Sequence, residues 1–244
     1  MSLLIISLAP ILIILFYIYF RDRYEKEPIG VLIKNFIAGA IIVIPILFVE
    51  TGLGNLWEHN IAHKFPPIAS AGYNAFVVAA FSEELFKFLA FVIIIWRSKH
   101  FNEKFDGIVY AVFISLGFAT VENILYVFEN GIGTGLLRAF TAVPAHAIFG
   151  ITMGYYMGLA KMHDNNNKRN LFLAFFMPFL LHGIYDFFLM SEKPILLLLF
   201  IPFMIVMFII GFKNMKKHSD NSIFKQEIIK NEEENFNNFT DNNI

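Results

Sequence analysis

The sequence predicts an all-α polytopic membrane protein, a bundle of about seven transmembrane helices. Three observations carry that prediction. Of the 244 residues, 57% are apolar and only 16% are charged, where a soluble domain carries about 25% charged residues. The apolar residues fall in runs close to the length of about 20 that a bilayer core requires, and the mean hydropathy is +0.60. No β-barrel alternation in segments of about ten residues is visible, so each span satisfies its own backbone hydrogen bonds as a helix.

The predicted spans are 3–20, 31–49, 74–96, 107–127, 139–160, 171–190 and 194–212. The first, Leu3 to Phe20, has no basic residue before it and no small-residue cleavage site after it. It reads as a retained span rather than a signal peptide. The last two are separated only by Ser191, Glu192, Lys193 and Pro194, a tight helical hairpin. Basic residues set the orientation. Arg21, Arg23, Lys26 and Lys34 flank the first connection; Arg97, Lys99 and Lys104 the third; Lys161, Lys168 and Arg169 the fifth; and Lys213, Lys216, Lys217, Lys225 and Lys230 follow the last span. The opposite side holds only Lys64, Arg138 and Lys193. The bias predicts an N-terminus outside and a C-terminus in the cytoplasm.

Residues 1–212 form the membrane domain. Residues 213–244 are Asn-rich with an acidic run at Glu232, Glu233 and Glu234, a composition expected to be a disordered cytoplasmic tail. Ile223, Phe224, Ile228 and Ile229 offer an alternative, one or two turns of interfacial helix. A net charge of −1 gives no support to a nucleic-acid partner. The absence of cysteine removes disulfides, thiolate metal sites and cysteine nucleophiles.

The informative residues are polar groups inside the spans. Glu83, Glu84 and Lys87 lie in the third, Glu122 and Asn123 in the fourth, His146 in the fifth, and His182 and Asp186 in the sixth. Five charged groups left unpaired at the bilayer centre would cost about 12–17 kcal/mol, so they are expected to face one another or water. Lys87 is four residues from Glu83 and three from Glu84, within reach of both. His182 and Asp186 share a face at i,i+4. Ala142, His146, Gly150 and Gly154 make a small-residue face that permits close helix contact. Counted from the outer end of each span, the polar groups fall about 6–14 Å deep, in one layer of the outer half.

Adjacent carboxylates in a low-dielectric interior resist double ionisation, and Lys87 would hold one of them charged. A Glu can then act as general base toward water, with a His or second Glu as acid. His182, His146, Asn123 or Asp186 could steady the oxyanion or orient the base. Ser82 has no imidazole on its own helix and reads as a packing hydroxyl. The same inventory suits a metal: Glu83, Glu122, His146 and His182 are a zinc-like ligand set. His59 and His63, at i,i+4 with Glu58 beside them, are a less favoured metal pair. A proton- or ion-coupled transporter would also use buried Glu, His and Asp, but would spread them through the membrane depth. A non-catalytic membrane adaptor or immunity protein is the third class.

Glu83-Glu84-Leu85-Phe86-Lys87, Phe118-Ala119-Thr120-Val121-Glu122 and His182-Gly183-Ile184-Tyr185-Asp186 resemble the three signature motifs of the PrsW family of intramembrane proteases. Asp22 to Pro28 resembles the family's first cytoplasmic motif; Asp106 to Tyr110, Leu116 to Ala119 and Glu122-Asn123 with Tyr126 resemble its span-four block; and Arg138 to Ala147 resembles its span-five block. The likeness runs in order from about residue 20 to 190, with Ala111 in place of an expected Gly. It implies that residues 1–212 are a protease domain in a bacterial cell membrane, making the first, extracytoplasmic cut in a single-span anti-sigma factor. The family is similar in turn to the CAAX prenyl protease and bacteriocin-immunity group. By that analogy Glu83 is the water-activating base with Glu122 beside it, Glu84 and Lys87 are supports, and His182 and Asp186 stabilise the oxyanion or orient water. Glu122 and Asp186 stand where those relatives carry His and Asn, which leaves a glutamic and a zinc mechanism both open.

Overall fold

A computed structural model describes residues 3–162 and 167–231. Every regular element among them is helical: α1 (Leu3–Arg21), α2 (Ile29–Ile41), α3 (Val43–Asn60), α4 (Pro67–Tyr73), a π-helical stretch (Asn74–Ala80), α5 (Phe81–Ile94), α6 (Lys104–Asn130), α7 (Ile132–Phe140), α8 (Ala142–Met162), α9 (Asn167–Met190) and α10 (Pro194–Asp220), with one short 3₁₀ turn at Ala62–Lys64 and helical backbone again over 223–231. Six helical segments are long and apolar enough to cross a membrane. The third predicted span, 74–96, differs from these six, being made of the π stretch and α5, with α4 leading into it.

The helix ends depart from the predicted spans where proline or polar residues intervene. Pro45 cannot donate to the carbonyl of Ile41, and α2 and α3 meet at Ile42, a residue of helical backbone between them. Helix α3 then runs to Asn60, well past the predicted end at 49, and carries Glu50 with it. Trp57 fixes its far end, stacking on Tyr73 at 4.3 Å and donating from Nε1 to Ser70 Oγ at 3.0 Å. Pro144 similarly frees the carbonyl of Phe140, and the predicted fifth span is split at Thr141 into α7 and α8. Helix α10 continues beyond the apolar run to Asp220, with Met215, His218 and Ser219 buried. The acidic run at Glu232–Glu234 lies outside the described residues.

Helix α6 is the centre of the bundle. In its most apolar stretch 72% of residues are buried, against 17% in α1 and in α10. The outer helices turn side chains such as Ile13, Phe16, Leu198 and Ile201 outward, as lipid contact requires. Helices α6 and α8 approach closely enough that a Cβ on Gly154 would lie 2.2 Å from the Gly107 carbonyl oxygen. Ser115 Oγ secures the same pair, donating to the carbonyl of His146 at 2.7 Å. Loops following α1 and α5, and the segment after α10, meet at one end of the bundle: Asn102 Nδ2 donates to Glu25 Oε1, and Ser222 Oγ to Glu103 Oε2. These are connections that the basic residues assign to a single side.

Candidate active site

Glu83 and Glu84 open α5 directly after the π stretch, and both are buried. Lys87, one turn on, donates from Nζ to Glu83 Oε2 at 2.9 Å and to Glu84 Oε1 at 2.8 Å. Its ammonium also sits 4.2 Å from the centroid of the Phe118 ring, where the ring's negative face attracts a cation. From this ion triad the polar contacts run in two directions. Toward α8, Lys87 Nζ meets His146 Nδ1 at 3.4 Å, and His146 Nε2 meets Glu122 Oε2 at 2.9 Å. A neutral ring protonated on Nε2 satisfies both contacts. Toward α9, His182 Nδ1 lies 3.0 Å from Glu84 Oε1, and His182 Nε2 lies 3.1 Å from Asp186 Oδ2. Phe149 stacks on the His182 ring at 4.7 Å. The next residue, Gly183, leaves room for Phe76 of the π stretch, whose Cδ1 would be 2.2 Å from a Cβ there.

The seven ionisable residues singled out inside the spans are thus joined in one hydrogen-bonded cluster drawn from α5, α6, α8 and α9. They do not stand equally. A cavity of about 490 Å³ is lined by Glu83, Glu122, His146, His182 and Asp186. Glu84 and Lys87 lie behind this surface, Glu84 being fully buried with its Oε2 lacking a hydrogen-bond partner. Apolar walls from Val43, Ile46, Leu47, Phe118 and Phe149 complete the cavity, a suitable surround for an extended apolar peptide segment.

Three further groups belong to the site. Arg138 of α7 donates from Nη2 to Glu122 Oε2 and from Nε to Asn123 Oδ1, each at 2.8 Å. The signal available for it was its place as the lone arginine on the sparsely basic side. Glu50 and Tyr126 also line the cavity. Glu50 fell just beyond a predicted span end, and Tyr126 entered only through the span-four resemblance, with no role assigned to it. Asn123 does not face the reaction space as an oxyanion donor: its amide nitrogen is committed to the Ser7 carbonyl at 2.8 Å and its oxygen to Arg138. It ties α1 and α7 to α6 instead. Ser82 is buried with an unpartnered hydroxyl. His59 meets the carbonyl of Asn55 and is exposed, and it joins no metal-capable group among the described residues.

A second buried polar group lies outside the predicted spans. Asp22, Glu27, Glu103 and Asp106 are also buried, at the far end of α6 from Glu122, about 24 Å away at 1.5 Å per residue. The sequence hid this group because it sits at span ends and in loops, where carboxylates are expected to be solvated.

Of the zinc-like set Glu83, Glu122, His146 and His182, Glu122 pairs only with His146, at 2.9 Å, and His182 only with Glu83, at 3.9 Å, so Glu83 and His146 alone enter a three-ligand group. With Glu84 they place three ligand atoms within 4.8 Å of one another. Two carboxylates and an imidazole fit a zinc-type site in chemistry. The point on which they converge is the one that Lys87 Nζ contacts, so a metal would require the ammonium to swing aside.

A family profile described as PrsW family intramembrane metalloprotease matches residues 27–211. The chain belongs to the PrsW family of intramembrane proteases. It is 43% identical to Protease PrsW of Oceanobacillus iheyensis over 223 residues, covering 91% of this chain and 99% of the relative. It is 39% identical to Protease PrsW of Clostridioides difficile, covering 91% and 93%, and 34% identical to that of Bacillus subtilis, covering 86% and 93%. No solved structure matches the chain. With the PrsW family and six membrane-crossing helices, the protein is a multi-pass component of a bacterial cell membrane.

Proposed function

We propose that this protein hydrolyses a peptide bond in the membrane-embedded segment of a single-span protein, with an anti-sigma factor as its substrate. Glu83 would be the base that activates water, and the N-terminus would lie outside the cell. The observation that carries the assignment is the division within the cluster: Glu83 reaches the cavity, while Glu84 and Lys87 stand behind it. A base must touch the proton that it takes. Lys87, bonded to both carboxylates, compensates the charge of the dyad. Glu84 spends its Oε1 on Lys87 and His182, which makes it a positioning residue.

Water in the cavity would lose a proton to Glu83 as it attacks the scissile carbonyl. His182, held at Nδ1 by Glu84, would turn its Nε2–H from Asp186 toward the oxygen on which charge develops. The proton held by Glu83 would then pass to the leaving amine. Glu122 and His146 form the opposite wall, and Arg138 holds Glu122 in place. The second reading, water activation by a metal, is favoured by the convergence of Glu83, Glu84 and His146. These three would hold the ion, and a zinc-type ion would lower the pKa of its water and polarise the carbonyl.

Reconstitution with a candidate anti-sigma factor tests both. Wild type should cleave it, and Glu83→Gln and His182→Ala should not. Unchanged cleavage in both variants would refute the site. Loss on chelation, restored by zinc, selects the metal reading, whereas equal cleavage with and without chelator selects the carboxylate one.

A further inference from the structure

The buried carboxylates at the far end of α6 take no part in the chemistry above. Glu25, Glu27 and Asp106 each offer a ligand oxygen, and these lie within 4.8 Å of one another. Asp22 and Glu103 stand beside them: Asp22 Oδ2 accepts from the Glu27 amide at 3.3 Å, and Glu103 accepts from Ser222 Oγ. Yet none of the five enters an ion pair among the described residues. Three nearby lysines are engaged elsewhere, and the buried Arg21 Nε has no hydrogen-bond partner. Lys26 Nζ is bonded to the Tyr19 carbonyl, Lys161 Nζ to the Trp96 carbonyl, and Lys225 Nζ to Asp220. Burying several carboxylates together without a counter-charge is costly.

A second observation points to what compensates them. Asp106 is fully buried. Its Oδ2 caps α6 by accepting the amides of Asn102 and Glu103 at 2.9 and 2.8 Å. Its Oδ1 receives no hydrogen bond at all, and neither does Glu25 Oε2. Tyr110 makes up only part of the deficit. Its hydroxyl faces both Glu27 Oε2 and the His100 carbonyl, and a hydroxyl has one proton to give. The donors that remain are all oxygen and all anionic, the set preferred by hard divalent cations over zinc or copper.

We propose that Glu25, Glu27 and Asp106 form a second site, which binds a hard divalent cation of the Mg²⁺, Mn²⁺ or Ca²⁺ class. A cation there would fasten the α1–α2 loop to the first turn of α6, and so anchor the helix that bears Glu122 at its other end. Its place about 24 Å from Glu122 along α6 makes it separable from any metal at Glu83.

The test is thermal unfolding of the full chain in detergent, stripped with chelator and titrated with each of the three cations. A ligand that binds the folded state at a hundredfold excess over its Kd should raise Tm by about 5–10 °C in a chain of this size. The rise should saturate, survive in Glu83→Gln, and disappear in Asp106→Asn and Glu25→Gln. Because Asp106 also caps α6, Glu25→Gln is the decisive variant: Glu25 is half-buried and accepts a hydrogen bond from Asn102, which glutamine retains. Tb³⁺ luminescence, sensitised by the nearby tyrosines and lost in Glu25→Gln, reads the same site without unfolding. A flat response to all three cations would overturn the proposal, as would an equal rise in Glu25→Gln or a rise abolished by Glu83→Gln. Stabilisation by acid alone in the absence of any cation response would assign a shared proton instead.

Discussion

Lys87→Met isolates the counter-charge of the dyad. The native ammonium lies 2.9 Å from one carboxylate and 2.8 Å from the other, with almost no exposure on any of the three side chains. Methionine keeps the length of the chain and its contact with Phe118, but leaves Glu83 and Glu84 adjacent with no cation between them. Removing one member of a buried ion pair costs about 3–5 kcal/mol, and the lost attraction to the Phe118 face adds up to about 2 kcal/mol. Proton uptake by one glutamate relieves part of this, so the expected loss is about 3–4 kcal/mol. Equilibrium unfolding in mixed micelles measures it. A double-mutant cycle with Glu84→Gln sharpens the reasoning: once a charge is removed from the dyad, Lys87→Met should cost at least about 1 kcal/mol less, since contacting residues couple by about 0.5–3 kcal/mol. Wild-type stability in Lys87→Met, or strict additivity in the cycle, would refute the buried triad.

Other consequences are open to measurement. Arg138→Met should lower cleavage by about tenfold or more, because a charge-assisted hydrogen bond worth about 1.5–3 kcal/mol to Glu122 is lost; Arg138→Lys should restore part of the activity, and equal activity in all three proteins would remove Arg138 from the site. Gly154→Leu should prevent the α6–α8 contact, since even a Cβ there meets the Gly107 oxygen at 2.2 Å; native-like melting would contradict that packing. With chelator present, stability should fall as pH rises. Burial lifts Asp22 from 3.8 and Glu27 from 4.5, each to about 7, so the folded state holds their protons more tightly than the unfolded chain. Their contribution is complete below about 4 and is lost as pH climbs through about 7. A Tm constant from pH 4 to 8 would show that these two groups are not held up.

Much of the site was legible because an ionisable side chain inside an apolar run has few reasons to be there. Glu83, Glu84, Lys87, Glu122, His146, His182 and Asp186 announced themselves by cost alone, and their i,i+3 and i,i+4 spacings anticipated the ion triad and the His182–Asp186 contact. The roles within the group were less visible, since sequence spacing does not say which of two neighbouring glutamates meets a cavity. Glu50 was missed because a glutamate with glycines after it looks like the end of a span, although the helix continues to Asn60. Asn123 was misassigned because an amide inside a membrane looks like a catalytic donor until its partners, Ser7 and Arg138, are seen. The carboxylates Glu27 and Asp106 entered only as parts of motif matches, and their burial was not visible for the opposite reason: near a span end, charge is ordinary, and only tertiary packing reveals that these are dry.

The wide turns of Asn74–Ala80 have a consequence for how this site can vary. Each residue on an α-helix is turned about 100° from the last, and a π turn takes up one residue more than an α turn. Deleting a single residue from this stretch would let an ordinary helix form without a break. Because the wide turn already absorbs the extra residue, α5 would begin in nearly the same phase, with the dyad and its lysine still facing His146 and His182. Adding a residue between 74 and 80 would instead exceed what one wide turn absorbs and begin α5 about a third of a revolution out of phase, so the stretch should tolerate the loss of one residue far better than the gain of one.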